Sequence, residues 1–341
     1  MNQRFIKKGI VMAYYLEDLL KGKEEATCSR DCSVTFDLDT KKRVNLVGLG
    51  DVGGTLLTGL KLLGGDLISE IGIFSPGDVA IRYEYEMNQI AYPDNESAMP
   101  EVVMVEKENL FDCDVFIFCA SKSVPALDSG IEDVRMFQFE ANREIIREYA
   151  RMARNSGFRG IFAVVSDPVD PLCKAAYLES NTDDEGLFDH RGLGPDQIRG
   201  YGLGVMNSRA VYYAKRERKF GSFLTEGRAF GPHGKDLVIA NSIENYDDGL
   251  SRELTRLAAT ANLRVRETGY KPYIAPALSS GAISILLTLR GEWHYSSIYW
   301  GGVFLGCRNR MTEHGPEVEH LPLPEPLFHR ILFAYQELEK I

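Results

Sequence analysis

What this 341-residue chain lacks removes several function classes at once. No apolar run is long enough to cross a bilayer and no convincing signal peptide is present, so no membrane role is expected. Basic residues are in deficit: 39 Lys and Arg against 49 Asp and Glu give a net charge of −10. Gripping a phosphate backbone needs a basic face, so nucleic acid is not expected as a partner. A local basic run, Lys215-Arg216-Glu217-Arg218-Lys219, reads as a solvated turn. Cysteine is sparse, with six residues scattered along the chain, which suits a reducing cytoplasm. Cys28 and Cys32 lie close together but have no second pair or histidine nearby, so no metal site is expected. Repeats and low-complexity tracts are absent too. What remains is a chain 44% hydrophobic and 26% charged, the balance of a soluble globular protein long enough for two domains.

The informative stretch is Val44-Asn45-Leu46-Val47-Gly48-Leu49-Gly50-Asp51-Val52-Gly53-Gly54. A short apolar strand runs into GLGDVG and then into the helical spacing of Leu56, Leu57, Leu60 and Leu63. Glycine suits a tight turn at Gly48, backbone approach to a pyrophosphate at Gly50, and close strand–helix packing at Gly53. The phosphates would sit on the unpaired N–H groups of the helix N-terminus. With a second strand at Ile71-Gly72-Ile73-Phe74, the pattern predicts a dinucleotide-binding βαβ unit. Gly48, Gly50, Asp51, Val52 and Gly53 are the cofactor candidates of this turn.

Residues 1–42 precede this unit and read as an extension, either an oligomer arm or a surface cover. The second strand ends at Ser75 where Asp or Glu would bind the adenosine ribose. That loss of charge admits NADP, but no arginine follows at once to clamp a 2′-phosphate, although Arg82 is within reach in sequence. Ser75 or Asp78 can still bond the ribose, and NAD is the expectation, with NADP possible. Further strands are predicted at Val102–Val105, Asp114–Ala120 and Gly160–Val165, the middle one continuous and apolar as in a doubly covered parallel sheet. A helix is predicted over Phe139–Arg154. Its Arg143, Arg147 and Arg151 read as a solvated, salt-bridged face. Ser166-Asp167-Pro168-Val169-Asp170 falls at the carboxyl end of a strand, the edge where open α/β sheets bind ligands. The fold class expected is α/β: a Rossmann-type doubly wound parallel sheet over 43–196, followed by an α+β substrate domain over 197–341.

From about residue 43 onward the chain resembles the L-lactate/L-malate dehydrogenase family. The resemblance rests on GLGDVG, on DVFIFCAS, on Arg135 seven residues before Asn142, on SDPVD, on Gly202 with Arg209 downstream, and on Gly231-Pro232-His233-Gly234. It implies hydride transfer between a nicotinamide and the C2 of a 2-oxo or 2-hydroxy acid. His233 is the implied acid–base group, with an ordinary pKa suited to neutral pH. Arg209 is the implied two-pronged partner of the substrate carboxylate. Arg135, on a mobile loop, would polarise the reacting carbonyl. Ala120, at the end of the fourth strand, joins Ser75 among the cofactor-binding candidates. A homodimer or homotetramer is likewise implied.

Departures from the family pattern shape the expectation. Asp167 stands where the family has asparagine, and Met206 where it has the aspartate that holds the histidine tautomer. One carboxylate appears as another disappears, so Asp167 is a candidate acidic partner of His233. In the loop after the fourth strand, Val124 and Lys122 fall where side-chain specificity is set. The apolar Val124 suits a larger or branched substrate rather than oxaloacetate. Lys271, Pro272 and Pro276 interrupt a stretch that usually offers a small hydroxyl or methyl to the pocket. The alternative is a family member that binds dinucleotide without efficient catalysis, as sensor or assembly partner.

Overall fold

The computed structural model describes residues 13–22, 36–95, 98–122 and 134–341, with backbone alone for 134–136. The first half alternates strands and helices: β1 (Lys42–Val47), α1 (Asp51–Leu63), β2 (Ile68–Phe74), α2 (Val79–Asn88), β3 (Glu101–Met104) and β4 (Val115–Phe118). It continues with α3 (Val134–Ser156), β5 (Ile161–Val164), α4 (Val169–Asn181) and β6 (Ile198–Gly200). These strands lie in the order β3-β2-β1-β4-β5-β6, every neighbouring pair parallel. That is the Rossmann order. Every residue of β4 and β5 is buried, because helices cover both faces of the sheet. One apolar cluster holds α1 against one face, and another holds α3 and α4 against the other. The order reverses between β1 and β4, so their carboxyl ends flank a crevice.

The second half holds α5 (Leu203–Ala214), α6 (Phe223–Glu226), β7 (Arg228–Phe230), β8 (Val238–Ala240) and α7 (Asp248–Glu267). A π-helix (Pro276–Ile283) leads into α8 (Ser284–Leu289), β9 (His294–Trp300), β10 (Val303–Thr312), β11 (Gly315–Val318) and α9 (Glu325–Glu339). Antiparallel β9, β10 and β11 extend the large sheet beyond β6, while β7 and β8 form a separate ribbon. The expected boundary at 196/197 falls just before β6.

The two halves share a core. Leu56, Leu57 and Leu60 of α1 pack with Ala277 and Ala282 of the π-helix and Ile285 of α8. A Cβ on Gly59 would come within 2.6 Å of Ala282 Cβ, so the absence of a side chain there allows the approach. On α3 the arginine face is ion-paired: Arg143 with Glu179, Arg147 with Glu144 and Arg151 with Asp184. No helix among the described residues is long and apolar enough to cross a membrane.

Candidate active site

The glycine turn after β1 meets the three demands of a phosphate cradle. Gly48 has φ +91°, and a Cβ there would overlap the backbone of Ala120, where the chain leaves β4. On Gly53 a Cβ would overlap the Gly48 carbonyl oxygen, so glycine lets α1 start tight against the turn. Above Gly50 there is open space. Gly50 is the N-cap of α1 and offers no side chain to it. The first intrahelical bond runs from the Gly54 N–H to the Gly50 carbonyl, at 2.8 Å. First-turn N–H groups of Asp51, Val52 and Gly53 therefore lack intrahelical acceptors and suit a diphosphate. Ser75 is half-buried at the end of β2, and Asp78 is exposed. Arg82 bonds Glu86 at 3.1 Å, so its guanidinium already has a carboxylate partner.

The acid–base candidates meet across the crevice from this turn. His233 lies in the loop joining β7 to β8, which bends at Gly231 (φ +82°) and Gly234 (φ +135°). Its ring rests on Gly202 at the start of α5, where a Cβ would approach His233 Cβ to 2.8 Å. Asp167, just past β5, places Oδ1 3.0 Å from His233 Nδ1. Asp170, buried on α4, accepts the His233 backbone N–H at 3.2 Å and a hydrogen bond from Ser297 Oγ. Burial alone disfavours a charged imidazole, but Asp167 by charge and hydrogen bond, with Asp170 behind it, raises the His233 pKa. The two carboxylates therefore favour the protonated ring. Asp170 is itself shifted up, because burial outweighs the bonds it accepts.

Arg209 lies on α5, half-buried, with Nη1 3.5 Å from Met206 Sδ and 3.4 Å from the Ala258 carbonyl. Burial lowers its pKa, opposed by the nearby charge of Asp167. His233, Asp167 and Arg209 thus form one electrostatic cluster.

Asn142 of α3, a spacing marker in the sequence, is a fastener here. Its amide donates to the Asp167 carbonyl at 2.7 Å and its Oδ1 accepts the Lys122 N–H at 2.9 Å. Ser166 Oγ adds a bond to the Ala120 carbonyl at 2.7 Å, so the ends of β4 and β5 are laced together. Lys122 has an exposed side chain. Arg135 falls in the first turn of α3, but its side chain is outside the described residues, as are Val124, Cys28 and Cys32. Asp170 and Ser297 carried no role in the sequence reading. Their partners lie 63 and 127 residues away, and only the SDPVD run marked the first of them.

No family model matches the chain. An L-lactate dehydrogenase of Mesomycoplasma hyopneumoniae is 25% identical over 204 residues, which are 59% of this chain and 58% of that enzyme. The match therefore spans little more than half of that enzyme's length. A malate dehydrogenase of Sulfurimonas denitrificans is 25% identical over 296 residues, 78% of this chain and 85% of that enzyme. The lactate dehydrogenase from Eimeria maxima, solved with NADH and oxamate, shares the fold with a TM-score of 0.69. It is 18% identical over 89% of this chain and 94% of its own. The chain is thus weakly similar in sequence to L-lactate and malate dehydrogenases and shares the fold of a lactate dehydrogenase. The likeness in fold runs through both halves. At these identities the reaction has to be argued from the chemistry of the site.

Proposed function

We propose that this protein is an NAD-dependent L-2-hydroxy acid dehydrogenase, with residues 43–196 binding the dinucleotide and 197–341 carrying the substrate site. The observation that carries the reading is the His233–Asp167 pair, 3.0 Å apart beside Arg209, across the crevice from a glycine cradle. A bound nicotinamide supplies the hydride for C2 of a 2-oxo acid, or accepts it from the hydroxy acid. His233 turns Nδ1 to Asp167 and uses its other ring nitrogen to trade a proton with the substrate oxygen. Its raised pKa favours the protonated ring that reduction requires. Arg209 grips the substrate carboxylate with two parallel bonds. Arg135 polarises the carbonyl, and Lys122 and Val124 shape the pocket for a larger apolar side chain. The cofactor assignment draws on the Eimeria enzyme's NADH and on a Gly50 turn open to a diphosphate. NADP stays possible because Ser75 places no carboxylate against a 2′-phosphate. A cytoplasmic homodimer or homotetramer completes the proposal, and light scattering of the purified protein checks its assembly.

A second reading, dinucleotide binding without efficient turnover, is favoured by Asp167, whose half-exposed carboxylate would repel an anionic substrate. One assay separates the two. NADH or NADPH is offered with pyruvate, oxaloacetate, and branched and aromatic 2-oxo acids while cofactor oxidation is followed. Turnover lost in His233→Ala supports the dehydrogenase. Cofactor binding with no turnover on any acid supports the second reading.

A further inference from the structure

The proposed dinucleotide site holds a charge that its function leaves unexplained. Asp51 opens α1, where a carboxylate suits the helix dipole but repels an incoming diphosphate. Its Oδ2 lies 3.1 Å from Nζ of Lys271, which reaches over from the segment between α7 and the π-helix. Both side chains are exposed, 81% for Lys271 and 49% for Asp51. A pair this exposed adds little to stability. Nor does it fasten the two halves, which already share the apolar core between α1 and the π-helix.

The surroundings leave room for a second, anionic partner of the ammonium. Space is open over Gly50, α1 has no side-chain cap, and its first-turn N–H groups lack intrahelical acceptors. An ammonium carries three donors, so one bond to Asp51 leaves two free to reach phosphate oxygens.

We propose that Lys271 is a ligand for the diphosphate of the bound dinucleotide, held at the start of α1 by Asp51. The assignment rests on the dinucleotide reading above and adds to it a binding residue from the substrate half. Asp51 is the positioning residue: it places the cation, and the cation cancels the repulsion that Asp51 would otherwise exert. The dinucleotide is then gripped from both halves of the chain.

Affinities of wild type, Lys271→Met and Lys271→Arg for NADH and NADPH are measured by fluorescence titration, and for ADP-ribose and adenosine by calorimetry. Lys271→Met is expected to weaken every diphosphate-bearing ligand about tenfold and to flatten the salt dependence. Adenosine binding stays unchanged, and Lys271→Arg retains most of the affinity. Equal NADH affinity in wild type and Lys271→Met overturns the assignment and leaves the dinucleotide reading standing. Parallel weakening of adenosine also overturns it, because the lysine then acts on pocket shape. A wild type that binds neither NADH nor NADPH overturns both.

Discussion

His233 and Asp167 meet from opposite directions, one on the β7–β8 loop and one just past β5, with Nδ1 3.0 Å from Oδ1. The resemblance leads one to look for the acidic partner on α5, three residues before Arg209, where Met206 stands instead. Met206 is buried with its sulfur against the Arg209 guanidinium. In the proposed site the acid sits at a strand end instead of on a helix. Because the His233 pKa is raised in the fold, its pairing stabilises the protein most at pH below its ordinary value. That contribution is lost as pH rises through the folded value.

Arg209→Lys keeps the charge and removes the planar fork. KM for the 2-oxo acid is expected to rise about 10- to 100-fold, the 1.5–3 kcal/mol of a charge-assisted bond. NADH affinity should hold. Steady-state kinetics beside a fluorescence titration reads both, and equal losses in the two would place Arg209 outside the substrate contact.

Gly50→Ala and Gly53→Ala separate ligand space from packing. The Gly50 Cβ enters open space, so melting temperature holds while Kd for NADH rises about tenfold. The Gly53 Cβ collides with the Gly48 carbonyl, so stability drops by about 1–3 kcal/mol. A melting curve and a titration on each variant test the contrast.

Asp170→Ala strands the His233 N–H and the Ser297 hydroxyl, and is expected to cost about 1–3 kcal/mol. Asp170→Asn preserves an acceptor and a near-identical shape, so it should lose less. The folded pKa of Asp170 is raised, so burying its charge costs more stability as pH climbs from the ordinary carboxylate value through the folded one. Asp170→Asn should flatten that dependence in denaturant titrations run across acid pH.

Branched 2-oxo acids are expected to outcompete oxaloacetate in kcat/KM, by about tenfold for each 1.4 kcal/mol of pocket preference. The panel assay measures this directly. A clear preference for oxaloacetate would mean that Lys122 or another cation governs the pocket.

Legibility followed the range of the interactions. The β1–α1 turn could be read because its glycines, strand and helix are contiguous, and β4 and β5 because doubly covered strands are apolar throughout. The spacing predicts the α3 helix from Phe139, whereas it begins at Val134; residues 137–140 include no buried side chain to extend the apolar pattern. The π-helix has no spacing of its own to betray it: prolines interrupt a run of small residues whose packing against α1 decides the shape. Asp167 could be nominated as the partner of His233 because one carboxylate replaced another. Asp170, Ser297 and Lys271 could not, because their partners lie 63 to 220 residues away.

The most direct test is the pH dependence of kcat/KM for 2-oxo acid reduction in wild type, Asp167→Asn and His233→Ala. Activity in His233→Ala should fall by about 10²- to 10⁴-fold. In Asp167→Asn the alkaline limb should move to lower pH, with about a tenfold loss at neutrality, roughly 1.4 kcal/mol of transition-state stabilisation. A profile unchanged by Asp167→Asn would contradict the relocated acid–base pair.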